Sequence, residues 1–345
     1  MRQPGVNLDQ VGCGMSGKPW KVGSSAICGA MVLAGAGVLA AGTPQGAQAV
    51  GPAQEPSQEQ QAAPERPVFR GGVDLVTIRA IVRDAKGRPV TTLTSKDFEL
   101  VDNGKAVQIQ AAEQDSGPVG LALLFDISGS MDIDERFSRA RETSYFLLAG
   151  LRNGEDEAAI FAFDSGLHVV QPFTSELDRL RGSLSSFSPW GMTSIHDAIA
   201  SASRSMDTRA TKRRALVVLT DGFDTASKLG AAEVSRIASS IDLPVYLVAV
   251  VPSIDDPRLN DDGNKALVGD LADLARWTGG ELFVATSTPE ASTIARRVVS
   301  ELRQQYLIAF SPGQKPGWHS VEVRVRRKGY TVQARGGYVA GGPAS

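Results

Sequence analysis

The chain has 345 residues, of which 42% are hydrophobic and 21% charged, and 36 Lys and Arg against 38 Asp and Glu leave a net charge of -2. That is enough length for two ordinary domains and too much apolar content for a mainly disordered protein. No Lys/Arg cluster is interleaved with aromatic residues, so the electrostatic footprint of a nucleic-acid binder is missing.

Residues 1–49 read as a targeting segment. Lys18 and Lys21 precede an uncharged run from Val22 to Ala41, and Ala47-Gln48-Ala49 follows as an A-x-A cleavage pattern. The leader before the run is long for a signal peptide, which points to translation starting at Met15. The alternative is a retained membrane anchor, since the run is about long enough to span a bilayer, but its Gly and Ala content makes it weakly hydrophobic. The expected localisation is therefore export, to a periplasm, a cell surface or the medium. Both cysteines, Cys13 and Cys28, lie in this leader, so a processed chain carries no disulfide and no thiolate chemistry, which suits a bacterial envelope. Ser25-Ala26-Ile27 before Cys28 is a poor lipidation signal.

Residues 50–67 are rich in Gln, Glu, Pro and Ala without apolar periodicity and read as a flexible linker. A β segment is expected over 68–117. Val76, Ile78, Ala80 and Val82 alternate with the polar Thr77, Arg79 and Arg83, apart from Ile81, Asp84-Ala85-Lys86-Gly87 turns the chain, and Phe98 and Leu100 lead into Asn103-Gly104. Asn-Gly suits the positive dihedrals of a tight hairpin, with Val107, Ile109 and Ala111 on the return.

From 118 to 303 the chain alternates strands and helices. The continuous apolar runs Val119 to Phe125, Ala158 to Phe163, Ala215 to Leu219 and Val245 to Val251 predict strands buried on both faces of a parallel sheet. Helical stripes separate them: Phe137, Ala140, Ser144, Leu147 and Leu151; Ile195, Ile199, Ala202 and Met206; Ala231, Val234, Ala238 and Ile241. The fold class expected is α/β, a doubly wound, mostly parallel sheet. Residues 304–340 return to strands, with Tyr306, Ile308 and Phe310, then Val321, Val323 and Val325, then Tyr330, Val332 and Ala334. This segment and 68–117 are each too small for a core, so they are expected to pair as a small β-sandwich across the α/β domain.

The first of the buried runs ends in Asp126-Ile127-Ser128-Gly129-Ser130, three oxygen side chains on alternate residues of one turn. Ligands of open α/β sheets bind beyond the carboxyl ends of the strands, where strand order reverses. Thr193 before the second helix and Asp221 after a later strand are expected at the same edge. A set of hydroxyl and carboxylate oxygens without His or Cys suits Mg²⁺, with Mn²⁺ or Ca²⁺ as substitutes.

With these residues in place, the segment resembles the von Willebrand factor type A domain, whose metal-ion-dependent adhesion site reads D-x-S-x-S, then T, then D. The resemblance implies that Ser128, Ser130 and either Thr193 or Asp126 contact the metal directly and Asp221 through water. It also implies a coordination position left for an Asp or Glu of a partner protein. The flanking β segments resemble those of bacterial von Willebrand factor type A-related proteins first noted in acidobacteria, on the stretch from Val82 to Phe98. Met192 stands where many relatives have a second Gly before the Thr.

The expected function is metal-dependent protein binding without catalysis. One alternative is an envelope scaffold whose metal site is degenerate or non-essential; the other is a serine hydrolase using Ser128, for which the G-x-S-x-G elbow and an oriented base are missing. His196 is expected to begin a helix and His319 to be an exposed strand residue, and His168 has no assigned role. Asp224 either lines the crevice or caps the next helix. The acidic stretch Asp255 to Asn264 lacks the ligands of a calcium loop and reads as a solvated loop, and Trp190 is either core or an exposed anchor.

Overall fold

The computed structural model describes residues 75–184, 188–207, 211, 213–258 and 264–341. The leader, the cysteines, the linker and residues 259–263 of the acidic loop lie outside the described residues. Among those described, no helix is long and apolar enough to cross a membrane.

The chain opens with β1 (Val76–Asp84), β2 (Phe98–Asp102), β3 (Lys105–Val107) and β4 (Ile109–Gln114). Asn103 and Gly104 take φ of 47° and 78°, which sets the two-residue turn between β2 and β3. The return is not one strand. β3 stays beside β2, whereas β4 leaves for the other sheet, so the chain changes layers at Gln108.

The α/β part runs β5 (Val119–Asp126), α1 (Arg136–Ala149), β6 (Glu157–Phe163), β7 (Leu167–Thr174), α2 (Leu177–Ser183), α3 (Ile195–Asp207), β8 (Arg213–Thr220), α4 (Ala231–Ser240), β9 (Val245–Val250), α5 (Asn264–Thr278), β10 (Leu282–Ala285) and α6 (Thr288–Arg303). Its sheet has the order β10-β9-β8-β5-β6-β7, parallel throughout except for β7. Strand alternation divides the core in two: Leu121, Leu123 and Phe125 pack with α1, α2 and α6, while Ala122 and Leu124 pack with α3, α4 and α5. Every side chain of β5, β8 and β9 is buried, as a strand covered on both faces requires. The chain leaves β5 for β6 on one side and later returns to β8 on the other, so strand order reverses at the carboxyl end of β5.

Four strands follow: β11 (Tyr306–Phe310), β12 (Gly317–Val325), β13 (Tyr330–Ala334) and β14 (Gly337–Ala340). They join the first four in sheets ordered β13-β1-β11-β4 and β14-β12-β2-β3. Ile78, Ala80, Val82, Phe98, Leu100, Tyr306, Ile308, Phe310, Val321 and Val323 fill the space between them. Arg335 fastens this sandwich to α4: it is 6% exposed, lies 3.3 Å from Asp242, and donates to the Ser239 and Thr77 carbonyls.

His319 corrects an expectation. It is 4% exposed, because β12 points it inward in phase with Val321 and Val323. Its Nδ1 lies 2.8 Å from Asp102 Oδ1 and its Nε2 lies 2.7 Å from the Lys315 carbonyl, which satisfies the ring inside the sandwich.

Candidate functional site

Asp126, the last residue of β5, is fully buried at the strand-order reversal. Its Oδ1 accepts the Ser128 N–H at 2.9 Å and its Oδ2 accepts the Thr220 hydroxyl at 2.6 Å, so the carboxylate joins its own loop to the end of β8. Ser128 Oγ and Ser130 Oγ are 3.2 Å apart in the short helical turn that follows. The Thr193 loop docks on this turn: Gly129 N–H donates to the Gly191 carbonyl and Trp190 N–H to the Ile127 carbonyl. Thr193 is 2% exposed and is tied in turn to the loop after β8, since Thr225 and Ala226 donate to its carbonyl and its N–H donates to Thr225 Oγ1. Gly222, at φ 93°, turns the chain immediately after Asp221. The structure thus brings the loops of Asp126, Ser128, Ser130, Thr193 and Asp221 to one edge.

Arg136 is a residue that the sequence did not single out. It stands at the start of α1, 7% exposed, and its Nη1 donates to Asp221 Oδ2 at 2.9 Å and to the Ser130 carbonyl at 3.4 Å, while Nη2 reaches Asp255 at 3.1 Å. Among the described residues its buried Nε has no hydrogen-bond partner. The guanidinium therefore neutralises one of the two carboxylates of the set. The other, Asp126, has its carboxyl pushed up to about 6, by burial first and with the charge of Asp221 adding, against hydrogen bonds from Thr220 and Ser128.

The donor set fits a hard divalent cation in kind: a buried carboxylate short of counter-charge, two adjacent hydroxyls, and Thr193 and Asp221 on touching loops. It fits less well in charge, because Arg136 already holds Asp221. Among the described residues, no group of three or more His, Cys, Asp or Glu is arranged to hold a metal ion.

Residues 121–223 match the sequence profile of the von Willebrand factor type A domain. This part of the chain is a domain of that fold. The match stops short of the flanking β segments. The fold also resembles BatB of Bacteroides thetaiotaomicron, with 22% identity over 53% of this chain and 98% of that one and a TM-score of 0.43. The PilB minor pilin of Streptococcus sanguinis gives 15% identity over 55% and 62% of the two chains and a TM-score of 0.45. A von Willebrand factor type A protein of Catenulispora acidiphila gives 14%, 79%, 76% and 0.44 in the same terms. No curated protein matches the chain.

The remaining polar residues of the type A domain have local duties. Asp224 Oδ2 accepts the His196 N–H at 3.1 Å and lies 3.3 Å from His196 Nδ1, so it caps α3, the helix before it in the chain. Burial works against its charge, but hydrogen bonds from Ser227 and His196 prevail and hold its carboxyl below the ordinary range. His196 is thus engaged by Asp224, and Ser128 Oγ is paired with Ser130 Oγ. His168 is exposed on β7, 3.2 Å from Asp164. Trp190 is 80% exposed, and Asp255 carries the second ion pair of Arg136.

Proposed function

We propose that this protein is a non-catalytic scaffold of the bacterial cell envelope, of the von Willebrand factor type A-related kind, that binds another protein at the carboxyl-end edge of its α/β sheet. The observation that carries this reading is the Arg136–Asp221 pair. With both side chains buried and 2.9 Å apart, the guanidinium gives the converged loops an internal counter-charge, so their arrangement does not depend on a bound ion. The metal then stabilises the edge without being required for the contact.

A second reading has its own support. Asp126, buried and short of counter-charge beside the Ser128 and Ser130 hydroxyls, favours Mg²⁺ held by Asp126, Ser128, Ser130, Thr193 and Asp221. Such an ion would supply a positive centre for an Asp or Glu of the partner. Partner capture from envelope extract, in Mg²⁺ and in chelator, separates the two. The scaffold reading expects the same protein under both conditions, and cation capture expects it only with Mg²⁺.

A further inference from the structure

The loops around Asp126 carry several exposed large apolar side chains. Ile133, Trp190, Met192 and Ile254 are 50%, 80%, 56% and 80% exposed. Large apolar side chains scattered singly on a surface are ordinary, whereas several side by side mark a contact region. These four are linked by short steps. Trp190 and Met192 flank Gly191, whose carbonyl accepts the Gly129 N–H. Ile133, a few residues on, accepts the Arg136 N–H, and Arg136 reaches Asp255, the neighbour of Ile254.

Around Ile133 the exposed charge is acidic. Asp132, Asp134 and Glu135 are exposed, and Asp255 is 42% exposed. Of the basic residues nearby, Arg136 is held by Asp221, Arg139, 13% exposed, donates to the Val251 carbonyl and lies within 3.9 Å of Glu135, and Arg258, 50% exposed, is paired with Asp256 and Glu290. Apolar anchors bordered by outward carboxylates complement a segment that is itself apolar and basic.

We propose that this edge docks a basic, apolar-rich segment of a partner protein. Its large side chains seat against Ile133, Trp190, Met192 and Ile254, and its Lys or Arg residues meet Asp132, Asp134 and Glu135. The proposal rests on the edge being the protein-binding face, but it needs no cation.

The test is selection of a random phage-displayed peptide library on the full chain in chelator, followed by affinity measurement on the enriched peptides. Enriched sequences should combine large apolar residues with Lys or Arg. Their affinity should fall about thirtyfold with Trp190→Ala, the loss common at an interface-centre Trp. Asp132→Asn with Asp134→Asn should weaken them about tenfold, two exposed ion pairs in the middle of their range. Both sites are exposed, and circular dichroism checks that the fold is kept. Acidic peptides that lose affinity with Trp190→Ala but not with the paired Asn substitutions would overturn the proposal and leave the edge as the binding face. Peptides indifferent to every one of these substitutions, or no enrichment at all, would overturn the proposal and the edge together.

Discussion

Replacing Arg136 by Met tests how the loops are held. The side chains of Arg136 and Asp221 are 9% and 0% exposed at a separation of 2.9 Å, so removing the guanidinium strands a buried carboxylate beside the buried Asp126. Loss of one partner from such a pair costs about 3–5 kcal/mol. The second pair, to the 42% exposed Asp255, adds at most about 1 kcal/mol. Urea unfolding in metal-free buffer, followed by circular dichroism, should show the midpoint falling by roughly 1–3 M at an unchanged slope. Combining Arg136→Met with Asp221→Asn should recover much of the loss, because the uncompensated charge is removed as well. Added Mg²⁺ should recover part of it for Arg136→Met alone, since the carboxylates regain a counter-charge. If Arg136→Met stays within about 0.5 kcal/mol of the parent chain, as an ordinary surface substitution would, the internal counter-ion is refuted.

Three further outcomes follow from particular contacts. Burial opposes the charge of His319, but the Lys315 carbonyl and the Asp102 carboxylate outweigh it and raise its pKa above 6.5. Its stabilisation of the sandwich should therefore be complete below the unfolded value and lost as pH rises through the folded one, a slope that thermal melts across that window should show and that His319→Gln should remove. Asp224→Ala deletes the cap on α3 and should cost about 1 kcal/mol, with faster hydrogen exchange at the His196 amide. Gly280→Ala would place a Cβ 1.9 Å from the Val245 carbonyl oxygen, a backbone clash, and should destabilise by about 3 kcal/mol in chemical denaturation.

The buried strands were the most legible part of the chain, because an uninterrupted run such as Val119 to Phe125 has few structures open to it other than a strand covered on both faces. β7 was not read: Leu167 to Thr174 is a half-exposed edge strand that contains Pro172, so neither alternation nor a solid apolar run marks it. α6 did carry a start signal, Ser287 before Thr288-Pro289-Glu290, which goes unnoticed when only apolar stripes are followed. His319 could have been placed by parity, since it lies two residues before Val321 on the same face of β12. At the edge of the α/β sheet, the Asp-x-Ser-x-Ser run announces itself because its residues are adjacent. Arg136 does not. Its partner Asp221 lies 85 positions away, and no local pattern links a helix-start arginine to a carboxylate just past the end of a distant strand.

The account turns on whether the converged edge binds protein without an ion. The most direct measurement is the dissociation constant of a captured partner, purified and titrated against the full chain first in excess chelator and then in excess Mg²⁺. The scaffold account predicts values within about threefold of each other, under 1 kcal/mol. A loss of about a hundredfold or more in chelator would contradict it and make the cation the centre of the contact.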